Sequence, residues 1–198
     1  MEVSAVQIKA LRDETGVSVM QCKKALEEAS GDMEKARVIL RKKGSEAASK
    51  KSDRTLNAGT IGAYVHTTKQ VATLVQLSCE TDFVSKNDEF ATLARDIAMH
   101  VTALAPSYIT RSDIDAVTLE KAKEVFQNQM QKEAQDKPAD LQEKILAGKL
   151  DAYFKEQILL EQAFVKDPDR TIGDLIESAT QKFGERVAVT AMSRLSVK

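Results

Sequence analysis

A thiol nucleophile with an imidazole base is the first chemistry the sequence invites. It holds Cys22 and Cys79, His66 and His100, and no other residue of either type. A cysteine acts as a nucleophile when a positioned histidine draws off its proton, and nothing in the spacing forbids that pairing here. The commoner state of such thiols is buried and inert. The two cysteines form no CxxC pair, and a structural zinc site usually needs about four close ligands. The eight glycines build no phosphate loop or dinucleotide fingerprint. No HExxH, GxSxG or calcium-loop run occurs. Carboxylates are plentiful but scattered, at spacings suited to solvation and to i,i+4 pairs on helix surfaces. We therefore expect no catalytic residues, no metal site and no cofactor. The chain reads as a binding or regulatory protein and not as an enzyme.

The informative stretch is "VQLSCETDFVSKND", residues 75 to 88, which begins with strand alternation and ends as a helix start. Where a turn should be polar, Asp82 is followed by Phe83 and Val84. An apolar residue just before a helix can staple its first turn. With Ser85 as cap, however, the stapling pair would be Val84 and Glu89; with Thr81 as cap, Glu80 would precede it. Phe83 has no local apolar partner in either scheme. Two readings stand: core packing at the junction, or an exposed anchor, since aromatics are favoured at interfaces.

The elements that would position this stretch are those of an α+β fold. Three short helices fit the first fifty residues, capped at Ser18 and Asp32 and stopped at Gly16, with Gly44 expected to end or loosen the third. "SEAASKKSDRTLNAGT" reads as a frayed helix end passing into a linker, which gives a first domain over 1–54 and a second over 55–198. "TIGAYVH" and "QVATLVQLSCE" predict a hairpin, with Val71, Thr73, Val75, Leu77 and Cys79 on one face. Phe90, Leu93, Ala94, Ile97, Val101 and Leu104 mark a long helix, with His100 at the border of its apolar face. Ser112 with Asp115 resembles a capping box, and two narrow apolar stripes follow: Leu119, Ala122, Phe126 and Met130, then Leu141, Ile145 and Leu146. With "QDKPAD" as a turn between them, they predict a projecting antiparallel helical hairpin inserted at about 112–155. Thr171 would cap a helix carrying Ile172, Leu175, Ile176 and Ala179. Val187, Val189, Ala191, Leu195 and Val197 would then alternate inward along a third strand of a small antiparallel sheet.

Charge and composition narrow the setting. Charged residues make up 30 % of the chain and aromatics 5 %, the profile of a soluble, helix-rich protein. No apolar run approaches the roughly 18 residues of a membrane span. The N-terminus has neither the apolar block of a secretory signal nor the acid-poor character of a transit peptide, so a cytoplasmic location is expected. Residues 1–54 carry 12 Lys or Arg against 9 Asp or Glu, and the excess lies in "RVILRKKGSEAASKKSDR". That run could touch nucleic acid, but no aromatics interleave to stack on bases, and cations suit a helix C-terminus. No direct nucleic-acid contact is expected.

"ETDFVSK" together with "LRDETGVSVMQCKKAL" closely resembles the two signature segments of the bacterial elongation factor Ts family, nucleotide-exchange factors for elongation factor Tu. The likeness continues through "IAMHV" at 97–101 and "LLEQAFVKDP" at 159–168, in order along essentially the whole chain. Gln76, Ser78 and Ala163 depart from the residues usual in the family. The resemblance implies that the three-helix domain is ubiquitin-associated (UBA)-like and docks on the GTPase domain of Tu, through Val19, Met20 and Lys23. The core is the alternative for both Met20 and Leu11, and it suits Leu11 better. The resemblance also implies that Thr81, Asp82, Phe83 and Val84 enter beside the partner's nucleotide and magnesium site. Phe83 would act as a wedge there, and Asp82 would disturb the magnesium and phosphate environment. His100 matches a partner contact, and also suits a satisfied core histidine. The chain resembles the short form of the family, for which a homodimer through the sheet is implied.

Two rivals stand beside this reading. An RNA-binding protein would use Lys42, Lys43, Lys50 and Lys51, and its affinity would fall steeply with salt. An enzyme using Cys79 with His66 or His100 would lose activity on thiol alkylation.

Overall fold

The structure, a computed structural model, describes residues 3–133 and 138–197. The elements in chain order are α1 (Ala5–Thr15), α2 (Val19–Glu28), α3 (Met33–Ser49), β1 (Ala58–Val65), β2 (Val71–Cys79), α4 (Asp82–Ser85) and α5 (Asp88–Leu104). They continue with α6 (Ala116–Glu133), α7 (Ala139–Lys155), β3 (Ala163–Phe164), β4 (Asp167–Thr171), α8 (Ile172–Phe183) and β5 (Ala188–Ser196). Helices beside a small antiparallel sheet make this an α+β protein. Internal packing divides it into two units, one running to Thr102 and resuming at Gly173, the other Ala103–Ile172.

In the first unit, α1, α2 and α3 share one apolar cluster of Leu11, Val17, Cys22, Ala25, Leu26, Ala29, Ala36 and Leu40. Burial of each leucine contributes about 1.5–3 kcal/mol. The expected caps are present: Gln21 N–H donates to Ser18 Oγ at 3.4 Å, and Lys35 N–H to Asp32 Oδ1 at 3.1 Å. Gly16 takes φ 68°, where a side chain would be strained, and closes α1 by donating to the Arg12 carbonyl. Gly44 does not end α3. The helix runs on to Ser49, and Gly44 is buried within it, where a side chain would crowd Gln181 of α8.

The sheet has the order β1-β2-β5, antiparallel throughout. Thr73, Val75, Leu77 and Cys79 of β2 are buried as expected, as are Phe90, Ala94, Ile97 and Val101 of α5, while Val71 at the start of β2 is half-buried and Leu104 at the end of α5 is exposed. The close approach of α5 rests on Gly62 of β1, where a Cβ would collide with the Ala94 carbonyl. Phe90 meets Phe183 of α8 edge-on, with ring centroids 5.7 Å apart.

The expectation for β5 fails halfway along. Val187 and Val189 are buried, but Leu195 and Val197 are exposed. The register shifts between Gln76 and Leu77, so that Gln76 faces Ala191 while Leu77 faces Val189, and Thr190 is the extra residue. A one-residue bulge moves every later side chain to the other face. Met192 is therefore half-buried, and Arg194, though exposed, reaches the end of α5, its Nε donating to the Thr102 carbonyl at 3.3 Å.

In the second unit, the box expected at Ser112 and Asp115 is shared differently. Thr110 and Asp113 close a short 3₁₀ turn, while Asp115 Oδ1 caps α6 by accepting from Thr118 N–H at 2.8 Å. Helices α6 and α7 pack on each other, with Phe126 and Tyr153 rings 5.5 Å apart. Met130 is buried on the expected stripe, but Leu141 is exposed, and the inward residue at the far end of α7 is Phe154. The turn expected over "QDKPAD" falls largely outside the described residues. A short hairpin, β3 with β4, has no counterpart in the sequence pattern. Among the described residues no helix is long and apolar enough to cross a membrane.

Candidate functional site

β2 ends at the buried Cys79, and the chain turns outward through Glu80 into the single helical turn α4. Val84 faces inward and is buried, and α4 packs on β1 and β2. With Val84 fixed, its neighbours face water: Phe83 is 85 % exposed, and the Asp82 side chain is 76 % exposed. The core-packing reading of Phe83 is thereby excluded. Its side chain takes no part in the core.

Within the turn, Ser85 Oγ donates to the Asp82 carbonyl at 3.0 Å and Asn87 N–H to the Val84 carbonyl at 3.0 Å. Asn87 Oδ1 accepts from Glu89 N–H at 2.9 Å at the head of α5, so neither Ser85 nor Thr81 caps a continuous helix here. Lys86 Nζ lies 2.7 Å from Asp82 Oδ2, and this ammonium holds the Asp82 carboxyl below the usual carboxylate range. Asp82 is therefore an anion at neutral pH, with its counter-ion on the same turn.

Two residues that the sequence reading passed over anchor the base of the turn. Glu185, in the turn before β5, accepts from Thr81 Oγ1 at 2.6 Å, Thr81 N–H at 3.0 Å and Glu80 N–H at 3.1 Å. The Glu80 carboxylate accepts from Arg186 N–H at 2.5 Å and Arg54 Nη1 at 3.2 Å, and the Arg186 amide does most to lower its pKa. The signal was present in "FGER". Once β2 and β5 pair antiparallel up to Ser78 and Ala188, the residues just beyond must meet.

A second exposed cluster lies on α2, where Met20 is 62 % and Val19 47 % exposed. Lys23, one turn on, is 3.7 Å from Glu27 and exposed. Leu11 is fully buried, as expected. Lys182 of α8 connects the surroundings of both clusters: it lies against Gly16 just before α2 and pairs with Glu89 at the head of α5. His100 has no exposed surface at all, so a direct contact from it would require the packing around α5 to open.

Of the four lysines named for the RNA reading, Lys43 is paired with an acid, as are two arginines of the same basic segment. Arg37 pairs with Glu14 and Glu34, Lys43 with Glu28, and Arg54 with Glu80. Burial pushes both the Cys22 and Cys79 thiols up, away from the thiolate that a nucleophile needs. Among the described residues no group of His, Cys, Asp and Glu is placed to hold a metal ion.

A protein-family model described as "Elongation factor TS" matches residues 22–198. Among curated relatives, the chain is 45 % identical to "Elongation factor Ts" of Thermotoga petrophila, covering 100 % of this chain and 97 % of that one. It is 44 % identical to the protein of the same name from Fervidobacterium nodosum, over 100 % and 99 %. To that of Carboxydothermus hydrogenoformans it is also 44 % identical, over 98 % and 89 %. On that match and on this identity along its whole length, the chain belongs to the elongation factor Ts family of translation elongation factors.

Proposed function

We propose that the chain is a guanine-nucleotide exchange factor: it binds elongation factor Tu loaded with GDP and promotes GDP release during elongation, in the cytoplasm. The observation that carries this reading is Phe83, 85 % exposed beside an exposed Asp82 on a turn whose base is held by long-range hydrogen bonds. An aromatic left in water by a well-packed neighbour gains about 1.5–3 kcal/mol when a partner covers it. Phe83 wedges between side chains of the GTPase and shifts the amides that hold the phosphates. Asp82 exchanges Lys86 for the partner's polar groups and disturbs the magnesium and phosphate environment. Thr81 and Val84 hold the two in place. No bond is made or broken. A factor that binds the empty GTPase better than the GDP form weakens GDP by the same ratio.

In this reading residues 1–54 are a UBA-like domain that docks on the GTPase domain through Val19, Met20 and Lys23. Residues 55–198 form the core, with α6 and α7 as its projecting hairpin. His100 contributes from beneath the surface. A homodimer through the sheet is part of the proposal, supported by the exposed apolar residues Ile61, Val65, Leu74, Leu195 and Val197. Light scattering at micromolar concentration checks it: a dimer mass is expected, and a monomer mass contradicts it. The exchange activity itself is tested by release of labelled GDP from Tu, which the chain should accelerate at substoichiometric concentration. Release at the spontaneous rate contradicts it.

A further inference from the structure

A helical turn of four residues cannot hold its own shape, since nucleation fixes several dihedrals for a single hydrogen bond. α4 is such a turn, and Thr81, which opens it, makes no side-chain cap bond to it. What holds Thr81 instead comes from more than a hundred residues away. The Glu185 carboxylate takes both its amide and its hydroxyl, together with the Glu80 amide. The Thr81 carbonyl accepts from Cys79 Sγ at 3.2 Å. The arrangement is reciprocal, because the Glu80 carboxylate takes the Arg186 amide while Arg186 Nη1 donates to the Arg54 carbonyl at 2.5 Å. Three of these bonds converge on the one Glu185 side chain, so its loss frees both amides and the hydroxyl together.

The geometry points to Glu185 as the positioning residue of the exchange tip: its carboxylate keeps residues 80 and 81 in the one conformation that turns Phe83 outward, before any partner arrives. This rests on the exchange reading above and deepens it. A tip that is competent only part of the time binds with an apparent affinity reduced by that fraction. The bonds matter in this account, and the charge does not. In Glu185→Gln the amide carbonyl still accepts from the two backbone amides, and its NH₂ can donate to Thr81 Oγ1. In Glu185→Ala all three bonds are lost.

Amide hydrogen exchange on the free chain is measured first, then labelled-GDP release from Tu. In Glu185→Ala, the Glu80 and Thr81 amides should exchange about tenfold faster or more, with the Leu26 and Ile97 amides unchanged. In Glu185→Gln they should stay within roughly threefold of the parent chain. The concentration giving half-maximal GDP release should rise about tenfold in Glu185→Ala and be largely restored in Glu185→Gln. Phe83→Ala should leave the two amides protected while losing exchange activity, which separates the clamp from the wedge. Should Glu185→Ala fail to fold, Thr81→Val removes the shortest bond alone and should free the Glu80 amide about threefold. Equal protection of both amides in Glu185→Ala overturns the inference, and so does a Glu185→Gln chain as impaired in release as Glu185→Ala. Failure of the parent chain to release GDP strikes the exchange reading, while the amide measurement, which needs no partner, still decides the clamp.

Discussion

The two exposed clusters are built in opposite ways. Val19, Met20 and Lys23 lie on a regular helix whose buried side, Cys22, Ala25 and Leu26, faces a local core. Nothing beyond the helix itself is needed to present them. Phe83 and Asp82 sit on a single turn that depends on an inward Val84 and on carboxylates and amides from the far end of the chain. The first is a helix face of two exposed apolar side chains and a lysine. The second is a fixed probe, in which the ordering cost is met on folding and not on binding. In the proposed function, α2 would supply docking affinity and the tip the exchange step.

Phe83→Ala should break the comparison hardest. Loss of a central aromatic anchor lowers kcat/KM for GDP release by about a hundredfold, while stability changes by no more than about 0.5 kcal/mol because the ring touches little in the free chain. Its neighbour should behave in the opposite sense: Val84→Ala opens a gap under the turn and destabilises the chain by about 2 kcal/mol in urea unfolding. Asp82→Ala should slow release about tenfold, the scale of removing one hydrogen bond to a charged group. The pair Val19→Ala with Met20→Ala should raise KM about fivefold and leave the maximal rate near that of the parent, as loss of uniform binding requires.

The smallest effect is one of pH, and it also separates the two regions. Glu80 is held below its ordinary pKa in the fold, so its bond to the Arg186 amide is complete at neutral pH and is lost as pH falls through that lowered value. Amide protection at Arg186 should fall on acidification below pH 4.5, while the α2 amides stay protected. Protection lost equally in both places would show that the tip is no more dependent on a carboxylate than the helix is.

How much of this was legible in the sequence follows from how local each feature is. The caps at Ser18 and Asp32 are set by residues three apart, and the local pattern predicts them. The inward face of β2 and the apolar face of α5 were legible for the same reason. The outward Val19 and Met20 of α2 came only from the family resemblance, since an apolar Met20 suits a core face as well. The failures involve distant partners. Alternation along β5 could not reveal the bulge at Thr190, because the extra residue is defined only against Gln76 and Leu77 of another strand. Gly44 reads as a helix breaker until α8 is placed beside it. Glu185 looks like an ordinary turn residue until the pairing of β2 with β5 brings it to Thr81. The sequence left Phe83 open between core and surface, since the burial of Val84 decides it and the two are adjacent apolar residues with no periodicity to rank them.

The most direct test is stopped-flow release of labelled GDP from magnesium-loaded Tu over a range of concentrations of the chain, run in parallel with Phe83→Ala. The account predicts a plateau rate far above spontaneous release for the parent chain, and a plateau for Phe83→Ala lower by one to two orders of magnitude at a similar half-saturation. A parent chain that never exceeds the spontaneous rate, or a Phe83→Ala plateau equal to the parent's, contradicts the claim that an outward, pre-set aromatic tip drives the nucleotide out.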